Sequence, residues 1–401
     1  ITTRLVGSEM CIRDSNKDLK IASARMNELA ALKRIDFANM FPQATARLNG
    51  NRETTNYGGD NFDADPELSL TASISWELDL WGNLRWARDH STAGFLASVE
   101  NCRAVKMGLV AQVAQSYFEL MALDNELAIV RRTLEARREG VRLAEIRFKG
   151  GLTSEIVFQQ AKVELAKTAT MVPDLERRIS LKESEIALLT GDFPYAVNRN
   201  VLPEEIQLPD ALPLGLPSTL LERRPDIRKA ERELMAAHAE VGLAYTNMFP
   251  RLALTATLGA ESETLRDLLK SPYSYLAGNL LSPLFAMGKN RAALKAKRAA
   301  YEGAVAEYEK TVLTAFKETH NAIINFNKIK DIYESRRQLA EASRTAVELA
   351  QLQYINGVIG YLDLLDAQRN YFDAQVSLSN AVCDKQLMII NLYKALGGGW
   401  K

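Results

Sequence analysis

The chain has 401 residues, and its 50 lysines and arginines are balanced by 50 aspartates and glutamates, giving a formal net charge of +0. This balance argues against a nucleic-acid binder that depends on a basic surface. A hydrophobic share of 47% with 25% charged residues is ordinary globular composition and excludes a disordered chain. Cys11, Cys102 and Cys383 are far apart in the sequence, which excludes a disulfide scaffold. The sequence also lacks an apolar run long enough for a membrane-spanning helix.

The side chains that usually carry catalysis or bind metals are few and scattered. His90, His238 and His320 have no motif spacing among themselves. Cys102 and Cys383 fall within helical apolar patterns, where core packing is the default role. We find no glycine-rich phosphate loop and no Ser/His/Asp arrangement. The sequence therefore predicts no enzymatic centre, no metal site and no cofactor.

Residues 1–15 read ITTRLVGSEMCIRDS and match nothing in the remainder of the chain. They also lack the apolar core of a secretory signal. We expect this segment to be a non-native leader and not part of the fold.

The rest of the chain contains an internal duplication. Several ordered matches at nearly one offset predict two structural repeats, residues 16–192 and 226–401. The connector between them, residues 193–225, holds six of the 12 prolines and reads as an extended linker. The matches are NMFP at 39–42 and 247–250, the segments 143–152 and 349–358, and glycines 191 and 397.

Each repeat is predicted to contain two strands, at about 41–52 and 67–80 in the first repeat and about 249–261 and 274–286 in the second. Apolar and polar residues alternate strictly from Leu68 to Leu80, which predicts one apolar and one polar face. Such a strand is longer than the usual globular strand of about 5–6 residues and suits a tilted transmembrane strand of about 9–11 residues with an overhang. The last strand alternates poorly and contains Pro283. The predicted membrane-facing residues are Leu68, Leu70, Ile74, Trp76, Leu78, Leu252, Leu254 and Leu258.

Two very long helices follow the strand pairs, at about 85–148 and 290–354, and each is followed by a shorter helix, at about 153–191 and 361–396. A proline-free helix of this length forms a rod of roughly 95 Å, far longer than an ordinary globular core requires. Four strands cannot close into a membrane barrel, and open edges are not tolerated in lipid. If the strands lie in a membrane, two or more chains must therefore pool them, with the helices extending from the sheet as a cylinder.

These residues resemble the TolC-like outer-membrane efflux channels, in particular the branch that serves RND-type pumps. The resemblance covers about residue 16 to the end and implies an α+β fold. Three chains would form a twelve-stranded outer-membrane β-barrel, with four strands from each chain, continuous with a periplasmic α-helical barrel. It also implies a periplasmic adaptor and an inner-membrane RND pump as partners in a Gram-negative bacterium. The family's signal peptide and N-terminal acylated cysteine would lie before residue 16, and Cys11 is not read as a lipid anchor. The motifs are LPSTLLERRPDI at 216–227, NMFP at 247–250, YLDLLDAQR at 361–369 and LYKALGGGW at 392–400.

Glycine turns join each long helix to the shorter helix that follows it. The glycines are expected to end the helices in the left-handed conformation. The resemblance implies, in addition, that these turns form the periplasmic tip that an adaptor hairpin contacts. The candidate docking residues are Gly150, Gly151, Leu152, Thr153, Gly357 and Val358.

Two aspartates, Asp363 and Asp366, lie three residues apart just inside the last helix and therefore share one helical face. In a homotrimer they would form two stacked acidic rings. The resemblance implies that these aspartates and Tyr354 narrow the periplasmic end of the tunnel. The first repeat has Val157 and Gln160 at the equivalent positions, so we expect the second repeat to line the closed end.

The favoured function is thus a passive export duct for drugs, metals or other small molecules, opened at its periplasmic tip by an adaptor. The alternative is a non-membrane periplasmic coiled-coil adaptor or scaffold, which does not explain the strands at 68–80 and 252–258.

Overall fold

The computed structural model describes residues 15–55, 63–199, 222–282 and 287–398. Residues 1–14 of the expected leader, most of the proline-rich connector and Pro283 lie outside the described residues. The described elements recur in one order: helix, two strands, long helix, shorter helix. They are α1 (Lys17–Ala38), β1 (Gln43–Thr55), β2 (Asp63–Leu78), α2 (Asn83–Lys149), α3 (Glu155–Thr190), α4 (Pro225–Thr246), β3 (Arg251–Ser262), a short 3-10 turn (Leu268–Lys270), β4 (Pro272–Leu281), α5 (Lys289–Ile355) and α6 (Tyr361–Ala395).

The chain divides into two compact units that cut across the two repeats. The helical unit comprises residues 1–22, 102–225 and 312–401, and the sheet unit comprises residues 23–101 and 226–311. Each unit thus takes matching elements from both repeats, and α2 and α5, of 67 residues each, contribute to both units. No helix in the described parts of the chain combines the length and apolarity that crossing a membrane would require.

The helical unit is held by apolar seams between successive helices. Leu120 and Val130 of α2 are fully buried against Leu175 of α3, and Leu392 of α6 is fully buried against Ala322 of α5. These contacts follow the seam spacing expected for long packed helices. Side-chain hydrogen bonds then join α2 to α6: they connect Gln115 Nε2 to Asn391 Oδ1 at 2.7 Å and Asn125 Nδ2 to Ser379 Oγ at 2.8 Å.

The sheet unit contains four antiparallel strands in the order β1-β2-β3-β4. The register pairs Ile74 with Ala256 and Ala256 with Leu276, so these residues lie on one face. On the other face, the hydroxyls of Ser73 and Thr257 are 3.1 Å apart, and Thr257 is only 5% exposed. The polar face is therefore the more covered face within the protomer.

The register also explains the weak alternation of β4. The strand runs only from Pro272 to Leu281, so the predicted end near residue 286 lies partly outside the described residues. Leu276 and Leu280 lie on the apolar face and are 79% and 67% exposed. On the opposite face, Tyr273 packs over Gly259, where an added Cβ would lie 2.5 Å from the tyrosine ring. A glycine is needed there because the ring occupies the side-chain position of its strand neighbour.

Candidate functional site: the helix turns and the exposed sheet face

The two turns that connect the long helices to the shorter ones have the same backbone geometry. Gly151 and Gly357 have φ angles of 73° and 75°, which confirms the predicted left-handed conformation. The Leu152 amide donates to the Arg147 carbonyl at 2.9 Å, and the Val358 amide donates to the Gln353 carbonyl, also at 2.9 Å. Both turns are therefore Schellman motifs, which need a residue that tolerates positive φ.

The turns present apolar side chains to solvent. Leu152 is 77% exposed and Val358 is 70% exposed. Gly150 is also exposed, whereas Thr153 is half-buried. Space around both positive-φ glycines is open, because an added Cβ would meet nothing within 4 Å. The turns thus offer an accessible surface at the predicted docking positions.

Asp363 and Asp366 each have a local partner. The Gly360 amide donates to Asp363 Oδ2 at 3.0 Å, which forms the N-terminal cap of α6. Arg369 donates to Asp366 Oδ1 at 3.3 Å, and the Asp366 side chain is 69% exposed. Both carboxylates remain on the outside of the protomer, as a ring in an assembly would require.

Tyr354 differs from the two aspartates because it is buried, with 5% exposure. The Arg147 guanidinium lies 4.5 Å from the centre of its ring and donates to the Ile355 carbonyl at 3.1 Å. A cation at a helix C-terminus is favourable because the last carbonyls have no partner within the helix. Tyr361 lies 5.7 Å from Tyr354 between ring centres, and burial raises the pKa of Tyr361. In the protomer, Tyr354 therefore belongs to the packed interior behind the turns.

A buried ion-pair cluster that was not predicted from the sequence lies close to this tyrosine. The Glu164 side chain of α3 is 5% exposed and bonds to Arg137 of α2 and Arg369 of α6. The hydrogen bond from Arg369 lowers the pKa of Glu164, with Arg137 acting in the same direction and burial opposing both. One sequence signal was available: Glu164 is a charged residue within the spacing of Ala161, Thr168 and Leu175, which form the buried face of α3.

The predicted membrane-facing residues all lie on the apolar face of the sheet, as the strand register places them. Five of them are exposed in the protomer and three are half-buried. Near one end of the face, the Trp76 indole donates to the Met40 carbonyl at 3.1 Å, and the Trp81 indole donates to the Pro250 carbonyl at 2.8 Å. The exposed members are Leu70, Ile74, Trp76, Leu254 and Leu258, and the half-buried members are Leu68, Leu78 and Leu252.

An inverted sheet of this kind, with leucines outside and hydroxyls covered, is typical of strands that face lipid. Within the described residues, no group of three or more His, Cys, Asp or Glu side chains is arranged to hold a metal ion.

Comparisons with known proteins agree over nearly the whole chain. The family described as "Outer membrane efflux protein" matches residues 12–192 and 216–398. The solvent efflux pump outer membrane protein SrpC of Pseudomonas putida is 33% identical over 396 residues, covering 96% of this chain and 83% of that protein. The outer membrane protein OprJ of Pseudomonas aeruginosa is 32% identical, covering 96% of this chain and 82% of that protein. The solved structure of the outer-membrane channel OprN superposes with a TM-score of 0.91 at 30% identity, covering 99% of this chain and 90% of OprN.

These findings confirm the predicted fold class, in which a long helical part is joined to a four-stranded membrane sheet. They give no support to the alternative of a non-membrane adaptor or scaffold, because both named relatives are outer-membrane proteins and OprN is an outer-membrane channel. The chain belongs to the outer membrane efflux protein family and is an outer-membrane efflux channel that extends into the periplasm.

Proposed function

We propose that the protein is the passive outer-membrane duct of a tripartite efflux system, working as a homotrimer with a periplasmic adaptor and an inner-membrane RND pump. The observation that carries this proposal is the inverted sheet. Its apolar face is exposed while Thr257 on the polar face is 5% exposed. Such a sheet suits a position in which its apolar face meets lipid and its polar face lines a wet interior.

The homotrimer is supported by the open sheet and by an exposed apolar stripe on α3. The described sheet has four strands, too few to close on itself. Ile156, Val163, Leu181 and Leu188 form a stripe along α3 that is between 58% and 73% exposed. This stripe lies on a different side of α3 from the buried face that contains Glu164. Two exposed surfaces that both need covering are a reason for chains to assemble.

The adaptor is proposed to contact the two glycine turns. Leu152 and Val358 supply exposed apolar contacts, and Gly151 and Gly357 fix the direction of the chain beneath them. An amphipathic helix of a partner binds an exposed hydrophobic surface through apolar anchor residues. Docking there would act directly on the helix ends that carry the proposed gate.

The gate is proposed to consist of Asp363 and Asp366 of the second repeat, repeated around the trimer axis, with Tyr354 packed behind them. Like charges held close together favour bound cations. Small molecules delivered by the pump would pass through the opened tip without chemical change. Under this proposal, the pump and not the duct selects the substrate.

The gate is tested by measuring single-channel conductance in a planar bilayer with and without divalent or trivalent cations. We expect replacement of both Asp363 and Asp366 by alanine to raise conductance or to abolish cation block. Asp331→Ala provides the control, since this exposed aspartate lies in the middle of α5. Unchanged conductance together with unchanged cation block in the double variant would contradict the gate assignment.

A further inference from the structure

A small, partly enclosed cavity lies behind the two glycine turns, within the helical unit. It has a volume of about 30 Å³ and is lined by residues of all four long helices of that unit. Its lining includes Arg137 of α2, Glu164 of α3, Tyr354 of α5, and Tyr361 and Gln368 of α6. The cavity therefore lies where the helices of the two repeats meet.

Two buried polar atoms of the lining residues have no hydrogen-bond partner among the described residues. They are the Tyr354 hydroxyl and Arg137 Nε. Tyr354 is 5% exposed and the Arg137 side chain is 9% exposed, so bulk water does not reach them freely. Buried polar groups in folded proteins are almost always hydrogen-bonded, and an orphaned group costs about 1–3 kcal/mol. Two such groups around one cavity point to a shared partner.

The size and charge of the cavity decide what that partner is. A cavity needs at least about 10–15 Å³ to hold one water molecule, so 30 Å³ is sufficient. An anion is disfavoured by the Glu164 carboxylate, and a cation is disfavoured by the guanidinium of Arg137 in the same lining. Because Glu164 already pairs with Arg137 and Arg369, the cluster does not need a further ion for neutralisation. A neutral molecule that both donates and accepts hydrogen bonds fits best.

We propose that this cavity is a binding site for one ordered water molecule, which accepts a hydrogen bond from Arg137 Nε and bonds to the Tyr354 hydroxyl. The water connects the end of α5 to α2, and Arg137 continues the connection through Glu164 of α3 to Arg369 of α6. All four helices then share one polar network behind the turns. In the closed tip, this network would hold the helices of the second repeat against those of the first. That consequence for gating rests on the proposed function.

The first test is thermal unfolding of the purified protein in detergent with Tyr354→Phe, which removes only the hydroxyl. If the hydroxyl binds the water, the variant should melt roughly 1–2 °C lower. If the hydroxyl is orphaned, its removal should leave the melting temperature unchanged or raise it, because a buried unsatisfied group has been deleted. That second result would overturn the proposal. Tyr393→Phe is the matched control, since Tyr393 is 54% exposed, whereas Tyr354 is buried.

The second test is a double-mutant cycle with Arg137→Lys, which keeps the charge beside Glu164 and removes the Nε donor. Two groups that hold one water must act together, so the second substitution should cost less once the first is present. Strictly additive melting shifts would mean that the two atoms have no common partner. A high-resolution map should also show density within hydrogen-bond distance of both atoms, and a dry cavity in a map that resolves other buried waters would overturn the proposal. Neither readout uses conductance, so the water site and the gate can fail separately.

Discussion

Glu164 is the residue on which the interior behind the turns depends most. Its carboxylate is the only described acidic group shared between Arg137 and Arg369, and it is 5% exposed. Removing one partner of a buried ion pair leaves the other charges uncompensated. We expect Glu164→Gln to destabilise the protein by about 3 kcal/mol, near the low end for buried pairs, because Arg369 is 44% exposed and can turn towards water. Denaturant or thermal unfolding measures this loss, with the exposed Glu307→Gln as the control.

Acid should weaken the same cluster. The pKa of Glu164 is lowered in the folded protein from its ordinary value of 4.5. A carboxylate with a lowered pKa stabilises the fold above its unfolded pKa, and this contribution is lost as the pH falls through the folded pKa. The melting temperature should therefore drop as the pH falls from about 5 to about 3. Glu164→Gln should flatten part of that drop, and an identical pH profile in the variant would show that another group is responsible.

Individual residues differ in how well their roles can be predicted from the sequence. The capping role of Asp363 and the positive φ of Gly151 follow from local chain geometry, so neighbours in sequence are enough to predict them. The pairing of Glu164 with Arg369 joins side chains 205 residues apart, and no local pattern contains it. Burial of Tyr354 under Arg147 likewise depends on packing between different repeats.

Among single elements, the two glycine turns can be tested by substitutions that strain the backbone without causing a steric clash. Gly151→Arg and Gly357→Arg should each cost roughly 1 kcal/mol or more, because a residue with a side chain is strained at positive φ. The space around both glycines is open, so a steric clash does not add to this cost. We expect the variants to assemble in the outer membrane and to lose efflux, because a bulky side chain disturbs the proposed docking surface. Changes at Leu152 and Val358 should act in the same direction with a smaller effect. A trimer assay, adaptor crosslinking and drug or metal susceptibility measure the outcome.

Gly191 provides the contrasting control. It also has a positive φ, of 79°, but the chain just before α1 packs against it, and an added Cβ would lie 2.4 Å from the Ser15 carbonyl oxygen and 3.2 Å from the Asn16 amide nitrogen. Gly191→Ala should therefore reduce the amount of folded protein, whereas the turn variants should not. If Gly151→Arg and Gly357→Arg assemble and still export at the parental level, the turns are not the docking site. If they fail to assemble, the turn glycines have only a structural role.

The sheet can be tested through its two faces. Ile74 is 54% exposed on the apolar face, so Ile74→Lys would place a charge in lipid, at a cost that depends on depth and reaches about 2–4 kcal/mol only at the membrane midplane. We expect less protein in the outer-membrane fraction. Ser75→Lys, the next residue, points to the polar face and should be tolerated. Equal loss of both variants from the membrane fraction would contradict the assignment of the faces.

Strand β2 was predictable because strict alternation needs only period-two burial. Strand β4 was less predictable because its glycine, serine and tyrosine residues do not alternate clearly between apolar and polar. Which face each of them occupies depends on its partner on β3, as for Tyr273 beside Gly259. The position of β4 in the sheet depends on its register with β3, and the sequence of β4 alone does not reveal that register.

At the scale of the whole molecule, the exposed stripe on α3 is the feature that needs a neighbour. Val163 and Leu181 are 63% and 58% exposed. If this stripe packs against another copy of the chain, Val163→Asp combined with Leu181→Asp should abolish the trimer while the helical content is kept. Ala169→Asp, an exposed position on another side of α3, is the control. Size-exclusion chromatography with light scattering distinguishes the states, and a stable trimer of the double variant would exclude the stripe as an interface.

The fold class follows from the sequence because its two signals, long helical seams and long alternating strands, occur twice in the same order. The division into compact units was not predictable from the duplication. The described residues of 102–199 and 312–398 belong to one compact unit although they come from different repeats. A duplicated sequence therefore need not give two duplicated domains.

The open edges of the sheet imply that protomers assemble before they insert into the membrane. Among the described strands, β1 pairs only with β2 and β4 only with β3, so the outer edges of β1 and β4 carry backbone groups that no described strand satisfies. A newly exported chain is exposed to aggregation from the moment its sheet forms, since free edges recruit any extended segment nearby. Under the proposed trimer, three such chains must meet before lipid can receive them. At low expression, the yield of assembled channel should therefore rise more steeply than linearly with the rate of synthesis. Periplasmic chaperones and proteases should act on unassembled protomers of this protein more than on assembled trimers.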